Sequence, residues 1–310
     1  MFLHQPTHSL NSFWRITWRQ SQSLSCYRSF SSSITPTKLA YDEHIPSDGN
    51  KNERPLVILH GFFGSKRNWS SLSKAFMKDS GRPVFSLDLR NHGSSPHVRP
   101  MTYTHMAADV LSFCQSHSLS NITLLGHSMG GKVAMSLALD LDLPDDLLAH
   151  LIVSDIAPVR ADLSAESRSH IEGMKKIEAS NVSTRKAAGD ILAEYENDPN
   201  VRAFLLTNVD SHSKPPHLKF KVPLDILEEG IPDIGSFPYA PGERIWEGST
   251  LFVKGKKSAF INKHNIPTIK EFFPLAFLDE LDTGHWGKPR YRSFSMVHKI
   301  NLKLTVHAEM

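Results

Sequence analysis

At 310 residues the chain is longer than one average domain and fits a single α/β core that carries an insertion. Its hydrophobic share of 40% comes without any apolar run of membrane-spanning length, which leaves no transmembrane helix to argue for. The formal net charge of +3 is smaller than the four cations Arg15, Arg19, Arg28 and Lys38 of the acid-free stretch from Met1 to Tyr41, so the remainder is slightly acidic and offers no nucleic-acid surface.

Residues 1–40 are rich in Ser, carry Arg, lack acids and are dotted with Phe and Trp. This composition is that of a mitochondrial transit peptide, with Arg28-Ser29-Phe30-Ser31-Ser32 as its processing region. A mitochondrial location is the expectation. Cys26 would leave with that peptide, and Cys114 in an apolar context reads as a small core residue. No disulfide framework is available, in keeping with a reducing compartment.

Asp42 to Arg54 reads as a polar lead-in loop. Short apolar runs follow at Leu56–Leu59, Val84–Leu87, Ile122–Leu125, Leu151–Ser154 and, much later, Leu251–Val253. Apolar on both faces, they predict central strands of a parallel sheet covered by helices. Met106–His117 and Lys132–Asp140 have the helical pattern between them. The alternation predicts an α/β, mostly parallel, doubly wound sheet, whose ligands bind at the carboxyl ends of its strands. Residues 41–159 form the first part of this core and residues 250–286 the second. Residues 160–249 break the rhythm. Helices are predicted at Ala165–Ile177, Arg185–Tyr195 and Val201–Thr207, then a hairpin through Lys219–Val222, followed by Leu224–Glu229. This insertion reads as a helical cap that shapes the pocket and excludes water.

Gly126-His127-Ser128-Met129-Gly130 lies between an apolar strand and a helical pattern. That context marks a nucleophile elbow, in which small neighbours make room for a strained serine and the Met129 N–H faces the developing oxyanion. A second oxyanion donor is expected from the loop after the preceding core strand, and in His60-Gly61-Phe62-Phe63-Gly64 it is the Phe62 N–H; His60 itself braces the loop. Serine needs a base, and His285 in Thr283-Gly284-His285-Trp286 sits past the last sheet segment in the chain order Ser, acid, His. His127 cannot turn back to its neighbour, and His92 reads as a packing or pocket residue. The acid is less obvious, because Lys254-Gly255-Lys256-Lys257-Ser258 after the last apolar strand holds no carboxylate. Asp155, at the end of the strand before, is the leading candidate, with Asp225 of the insertion second and Asp88 structural. No phosphate-cradling loop or metal-ligand cluster stands out, so neither a cofactor nor a metal is expected.

These motifs, together with Asp88-Leu89-Arg90-Asn91-His92-Gly93, Asp155-Ile156-Ala157-Pro158, Phe204-Leu205-Leu206-Thr207-Asn208 and Gly284-His285-Trp286, make the chain resemble one branch of the α/β-hydrolase fold from about Leu56 to Trp286. The branch is that of abhydrolase domain-containing protein 11 and the fungal mitochondrial ethanol acetyltransferases. The resemblance implies a serine esterase, thioesterase or acyltransferase for short acyl esters, with a small ester, acetyl-CoA or an alcohol as its partners. The alternative is a hydrolase fold kept as a binding protein, or an inactive gene product. In the family Gly-His-Trp runs on into a hydrophobic residue, His-Ala and an acid. Here Gly287 to Thr305 intervenes, with five Lys or Arg and no acid, before Val306-His307-Ala308-Glu309. We read 287–305 as a retained intron, and a mature message that keeps this stretch overturns that reading. Residues 306–310 then read as a truncated C-terminus without the family's closing helix, which predicts a poorly anchored His285 loop.

Overall fold

The computed structural model describes residues 34–50, 53–160, 165–210 and 218–285. The proposed transit peptide up to residue 33 and the segments 287–305 and 306–310 lie outside the described residues. Seven strands form one sheet in the order β1-β3-β2-β4-β5-β6-β7. They are β1 Tyr41–His44, β2 Leu56–Leu59, β3 Val84–Leu87, β4 Ile122–His127, β5 Leu148–Ser154, β6 Ser249–Gly255 and β7 Phe277–Leu281. Every pairing is parallel except β1 with β3. The predicted α/β sheet is therefore present, with the switch in strand order beside β2 and β4.

Both faces of the central strands are apolar, as parallel pairing requires. Ile58, Leu125, Ile152 and Leu251 face one way, against Phe76. Val57, Leu59, Leu124, Leu151, Val153 and Phe252 face the other and join the larger core cluster. Helix α1 (Ser70–Ser80) covers the first face, while α2 (Tyr103–Ser116) and α3 (Met129–Ala138) pack on the second. Helix α2 starts where Thr102 caps it by accepting from the His105 N–H.

Three elements differ from the sequence reading. The lead-in loop begins with strand β1, whose Tyr41 pairs with Leu87 and packs edge-on against Phe113 at 5.1 Å. Tyr-Asp-Glu-His has one apolar residue, and an edge strand needs no more, because its ladder on β3 supplies the stability. Strand β7 was hidden for the same reason: Phe-Leu-Asp-Glu-Leu pairs with β6 along one edge and stays largely exposed. The predicted hairpin through Lys219–Val222 reduces to a single antiparallel bridge between Val209 and Phe220.

Between β5 and β6 the inserted segment forms α4 (Ala165–Ala179), α5 (Arg185–Leu192), α6 (Pro199–Leu205), α7 (Leu224–Glu229) and α8 (Ile231–Gly235); α9 (Ile266–Phe272) follows β6. No helix among the described residues is long and apolar enough to cross a membrane. The insertion is fastened to the core by polar contacts. Tyr103 donates its hydroxyl to Ile234 O at 2.7 Å, and Arg99 forms an exposed two-pronged pair with Glu229. Lys132 of α3 is buried and donates to three carbonyls, Val159 O at 3.0 Å, Gly235 O at 3.2 Å and Ser236 O at 2.8 Å. Burial draws its pKa down to about 8, so at neutral pH the ammonium keeps one N–H for each acceptor. Lys132→Met would leave those three carbonyls without their donor. The expected cost is about 1–3 kcal/mol, read as a lower thermal unfolding midpoint; an unchanged melt would overturn this account of the joint.

Candidate active site

Ser128 occupies the single residue between β4 and α3, with φ 51° and ψ −118°. A left-handed backbone at a serine costs roughly 1–2 kcal/mol, and the surroundings must enforce it. Two glycines do so by close approach. A Cβ on Gly126 would lie 2.2 Å from Gly130 O, and one on Gly130 would lie 2.5 Å from His60 O. The turn can therefore close only with both side chains absent. Ser128 N–H donates to Ser154 O at 2.9 Å, which carries the β4–β5 ladder on to the nucleophile position.

Asp155 sits one strand over, directly after β5, and it too has a positive φ of 55°. Its N–H donates to Val253 O at 2.8 Å, extending the next ladder in the same way. Its Oδ2 lies 2.8 Å from Nδ1 of His285, and Nε2 of His285 lies 3.0 Å from the Ser128 hydroxyl oxygen. The three residues the sequence singled out are thus joined in one chain of hydrogen bonds. The charged acceptor at Nδ1 requires the proton there, which leaves the Nε2 lone pair for the serine hydroxyl. Burial by itself raises the Asp155 pKa, but hydrogen bonds from His285, Ser258 and the Gly255 N–H (3.0 Å to Oδ1) outweigh it and hold the carboxyl below its ordinary value. The carboxylate and the imidazole keep only 7% and 9% of their side-chain surface, so their attraction acts with little solvent screening.

The loop after β6 has a different job from the one its position suggests. It holds no carboxylate, yet it delivers two donors, Gly255 N–H and Ser258, to the acid of the neighbouring strand. Phe260 of the same loop stacks on the His285 ring at 3.8 Å and 27°. Sequence reasoning missed both Ser258 and Phe260, because their roles are defined by residues on other strands. The His285 loop is also better anchored than the sequence suggests. Lys257 N–H donates to Thr283 O at 3.0 Å and Thr283 N–H to Leu281 O at 2.8 Å, besides the contacts of His285 itself.

The two amides expected as oxyanion donors flank the serine. Met129 is the first residue of α3, where the N–H has no intrahelical acceptor. Phe62 follows Gly61, on which a Cβ would lie 3.2 Å from the Ser128 Cβ, so this stretch of chain runs against the nucleophile. Among the described residues neither amide donates to another protein group. His60 is fully buried, accepts the Leu89 N–H on Nε2 at 2.9 Å and donates from Nδ1 to Gly61 O at 2.8 Å. Burial lowers its pKa, and it braces the loop as a neutral ring. Burial likewise brings His127 and His92 down to about 3, His127 with a further contribution from His285 and His92 from His60.

Asp225, the second candidate acid, takes no part. It lies on α7 with 81% of its side chain exposed and pairs with Lys175 at 2.9 Å. Asp88 is fully engaged as a structural acceptor of the Lys66 ammonium at 3.0 Å, the Lys66 N–H at 2.6 Å and the Ser94 N–H at 2.8 Å. Metal-ligand chemistry among the described residues is confined to Glu166, His170 and Glu196 of the insertion, whose ligand atoms lie within 4.8 Å of one another; His170 Nε2 and Glu196 already share a hydrogen bond of 2.7 Å.

Residues 54–182 match the α/β-hydrolase fold family. A diacylglycerol lipase of Danio rerio, the sn-1-specific ABHD11, is 35% identical over 257 residues, which is 81% of this chain and 78% of that protein. Ethanol acetyltransferase 1 of Cyberlindnera fabianii is 30% identical over 274 residues, 80% of this chain and 81% of that one. Among solved structures, a marine microorganism esterase superposes with a TM-score of 0.71 at 32% identity, over 88% of this chain and 99% of its own. The chain belongs to the α/β-hydrolase family, among the serine hydrolases and acyltransferases related to abhydrolase domain-containing protein 11.

Proposed function

We propose that the protein transfers short acyl groups from esters or acyl-CoA thioesters, through an ester on Ser128, to water or a small alcohol. The observation that carries the reading is the continuous relay from the Ser128 hydroxyl through His285 to Asp155. The Ser128 oxygen attacks the substrate carbonyl carbon as its proton passes to His285 Nε2. The oxyanion is held by the Met129 and Phe62 amides, a role supported by the position of Met129 at the start of α3 and by the approach of Gly61 to Ser128. When the tetrahedral adduct collapses, the C–O or C–S bond breaks and the leaving alcohol or thiol takes the proton from Nε2. Water or alcohol then attacks the acyl-serine, gives its proton to Nε2, and the returning Ser128 oxygen recovers it. Asp155 stays ionised throughout and stabilises the imidazolium that forms twice per cycle.

Hydrolysis and alcoholysis share every step but the last, so the acceptor is decided by what the pocket admits once the first product has left. The test is product analysis with acetyl-CoA, with and without ethanol. We expect free CoA with acetate when water alone is present, and ethyl acetate in addition when ethanol is supplied. Absence of CoA release in both arms would overturn the acetyl-CoA substrate. CoA release with acetate alone in both arms would overturn the alcohol as acceptor.

A further inference from the structure

We propose that Asn208 is a positioning residue for the oxyanion site, and that through it the inserted segment helps to aim the Phe62 amide. The proposal rests on the acyl-Ser128 reading. The turn concerned is Gly61-Phe62-Phe63-Gly64, closed by the Gly64 N–H donating to Gly61 O at 2.9 Å. A positive φ at the third position of such a turn is a demand that glycine meets freely. Here the residue is Phe63, with φ 58° and a fully buried ring. A bulky side chain holds that conformation only where its surroundings impose it.

The turn is gripped at both ends. At its start, Gly61 O takes a second hydrogen bond, from His60 Nδ1 at 2.8 Å. In a trans peptide the C=O and N–H point opposite ways, so a fixed Gly61 carbonyl also fixes the direction of the Phe62 N–H. That grip belongs to the core. At its end, Phe63 O accepts from Asn208 Nδ2 at 2.8 Å, and this grip belongs to the insertion. The donor is itself immobilised. Asn208 is 5% exposed, its Nδ2 also donates to Leu205 O at 3.2 Å, and its backbone carbonyl accepts from the Lys221 N–H at 2.8 Å. The next residue, Val209, pairs with Phe220 in the antiparallel bridge. One rigid side chain of the insertion therefore holds the exit of the turn whose second residue is the proposed oxyanion donor. An oxyanion donor works by being aimed in advance, so loosening the turn weakens the transition state more than substrate binding.

The experiment measures turnover of p-nitrophenyl acetate per active site, with sites counted by fluorophosphonate titration, alongside affinity for a boronic acid that forms a tetrahedral adduct with serine. For Asn208→Ala we expect kcat per titrated site to fall about tenfold or more, KM to stay within about twofold, and boronic acid affinity to fall with kcat. Asn208→Asp keeps the shape but turns a charged acceptor toward the Phe63 carbonyl, and it should lose at least as much. A role in stability alone would lower the unfolding midpoint and the number of titratable sites while leaving kcat per site and boronic acid affinity at wild-type levels, and that result in either variant overturns the proposal. Ser128→Ala run in parallel keeps the two readings apart: turnover in that variant sinks the acyl-serine mechanism itself, whatever Asn208 does.

Discussion

Replacing Ser128 by alanine is expected to abolish turnover, with a loss on the order of 10⁶-fold in kcat, and to abolish covalent labelling by a fluorophosphonate. The fold should survive. Ser128 lends its backbone to the β4–β5 ladder through the bond to Ser154 O, and alanine keeps that bond. What disappears is the hydroxyl oxygen 3.0 Å from His285 Nε2, the sole atom at the elbow placed to attack and to hand over a proton in one motion. Labelling retained in the alanine variant would remove Ser128 from the nucleophile's role.

The second large effect is expected at Asp155. Asp155→Asn keeps the volume but offers an amide where His285 needs a charged acceptor, so the ring loses the bias toward Nδ1–H and the imidazolium loses its counter-charge. A fall in kcat of about 10⁴-fold is expected, with Asp225→Asn within about twofold of wild type as the matched control. Equal losses in the two variants, or a larger one at Asp225, would overturn the assignment. The pH dependence has a definite sign. The folded-state pKa of Asp155 is lowered from 3.8, so its hydrogen bonds stabilise the fold fully above that value and are lost as pH falls below it toward the folded pKa. Asp155 therefore contributes no titration step between pH 5 and 9. Its loss should appear on acidification, as a wild-type stability decline below pH 4 that Asp155→Asn lacks.

Much of this was legible in the sequence because the physics concerned is local. The elbow is a strand, a strained residue and a helix in one unbroken stretch, Ile122 to Ala138, and Gly126 is dictated by a contact four residues away, at Gly130 O. The central strands announced themselves because burial on both faces leaves room for few polar residues, Ser86 and Thr123 among them. The edge strands β1 and β7 did not, since one paired edge and one exposed face permit sequences such as Tyr-Asp-Glu-His and Phe-Leu-Asp-Glu-Leu. Asp155 was legible as a carboxylate at a strand end, but its choice over Asp225 turned on where each side chain points. One meets His285 and the other meets solvent and Lys175. Ser258, Phe260 and Asn208 act on residues 25 or more positions away, a separation at which periodicity and motif spacing say nothing.

Lys132 gives the active site a form of mechanical isolation. The chain leaves β5 at Asp155 and enters the insertion five residues later, so the carboxylate stands at the root of the excursion between β5 and β6. Val159 at that root is held by an ammonium from the helix that Ser128 begins, and the same ammonium holds the insertion's return path at Gly235 and Ser236. Outgoing and incoming strands of the excursion are thereby tied to one post, fixed on the nucleophile's own helix. Any displacement of α4 to α7 would have that post as its fixed point, so it would not have to stretch the Asp155–His285 hydrogen bond.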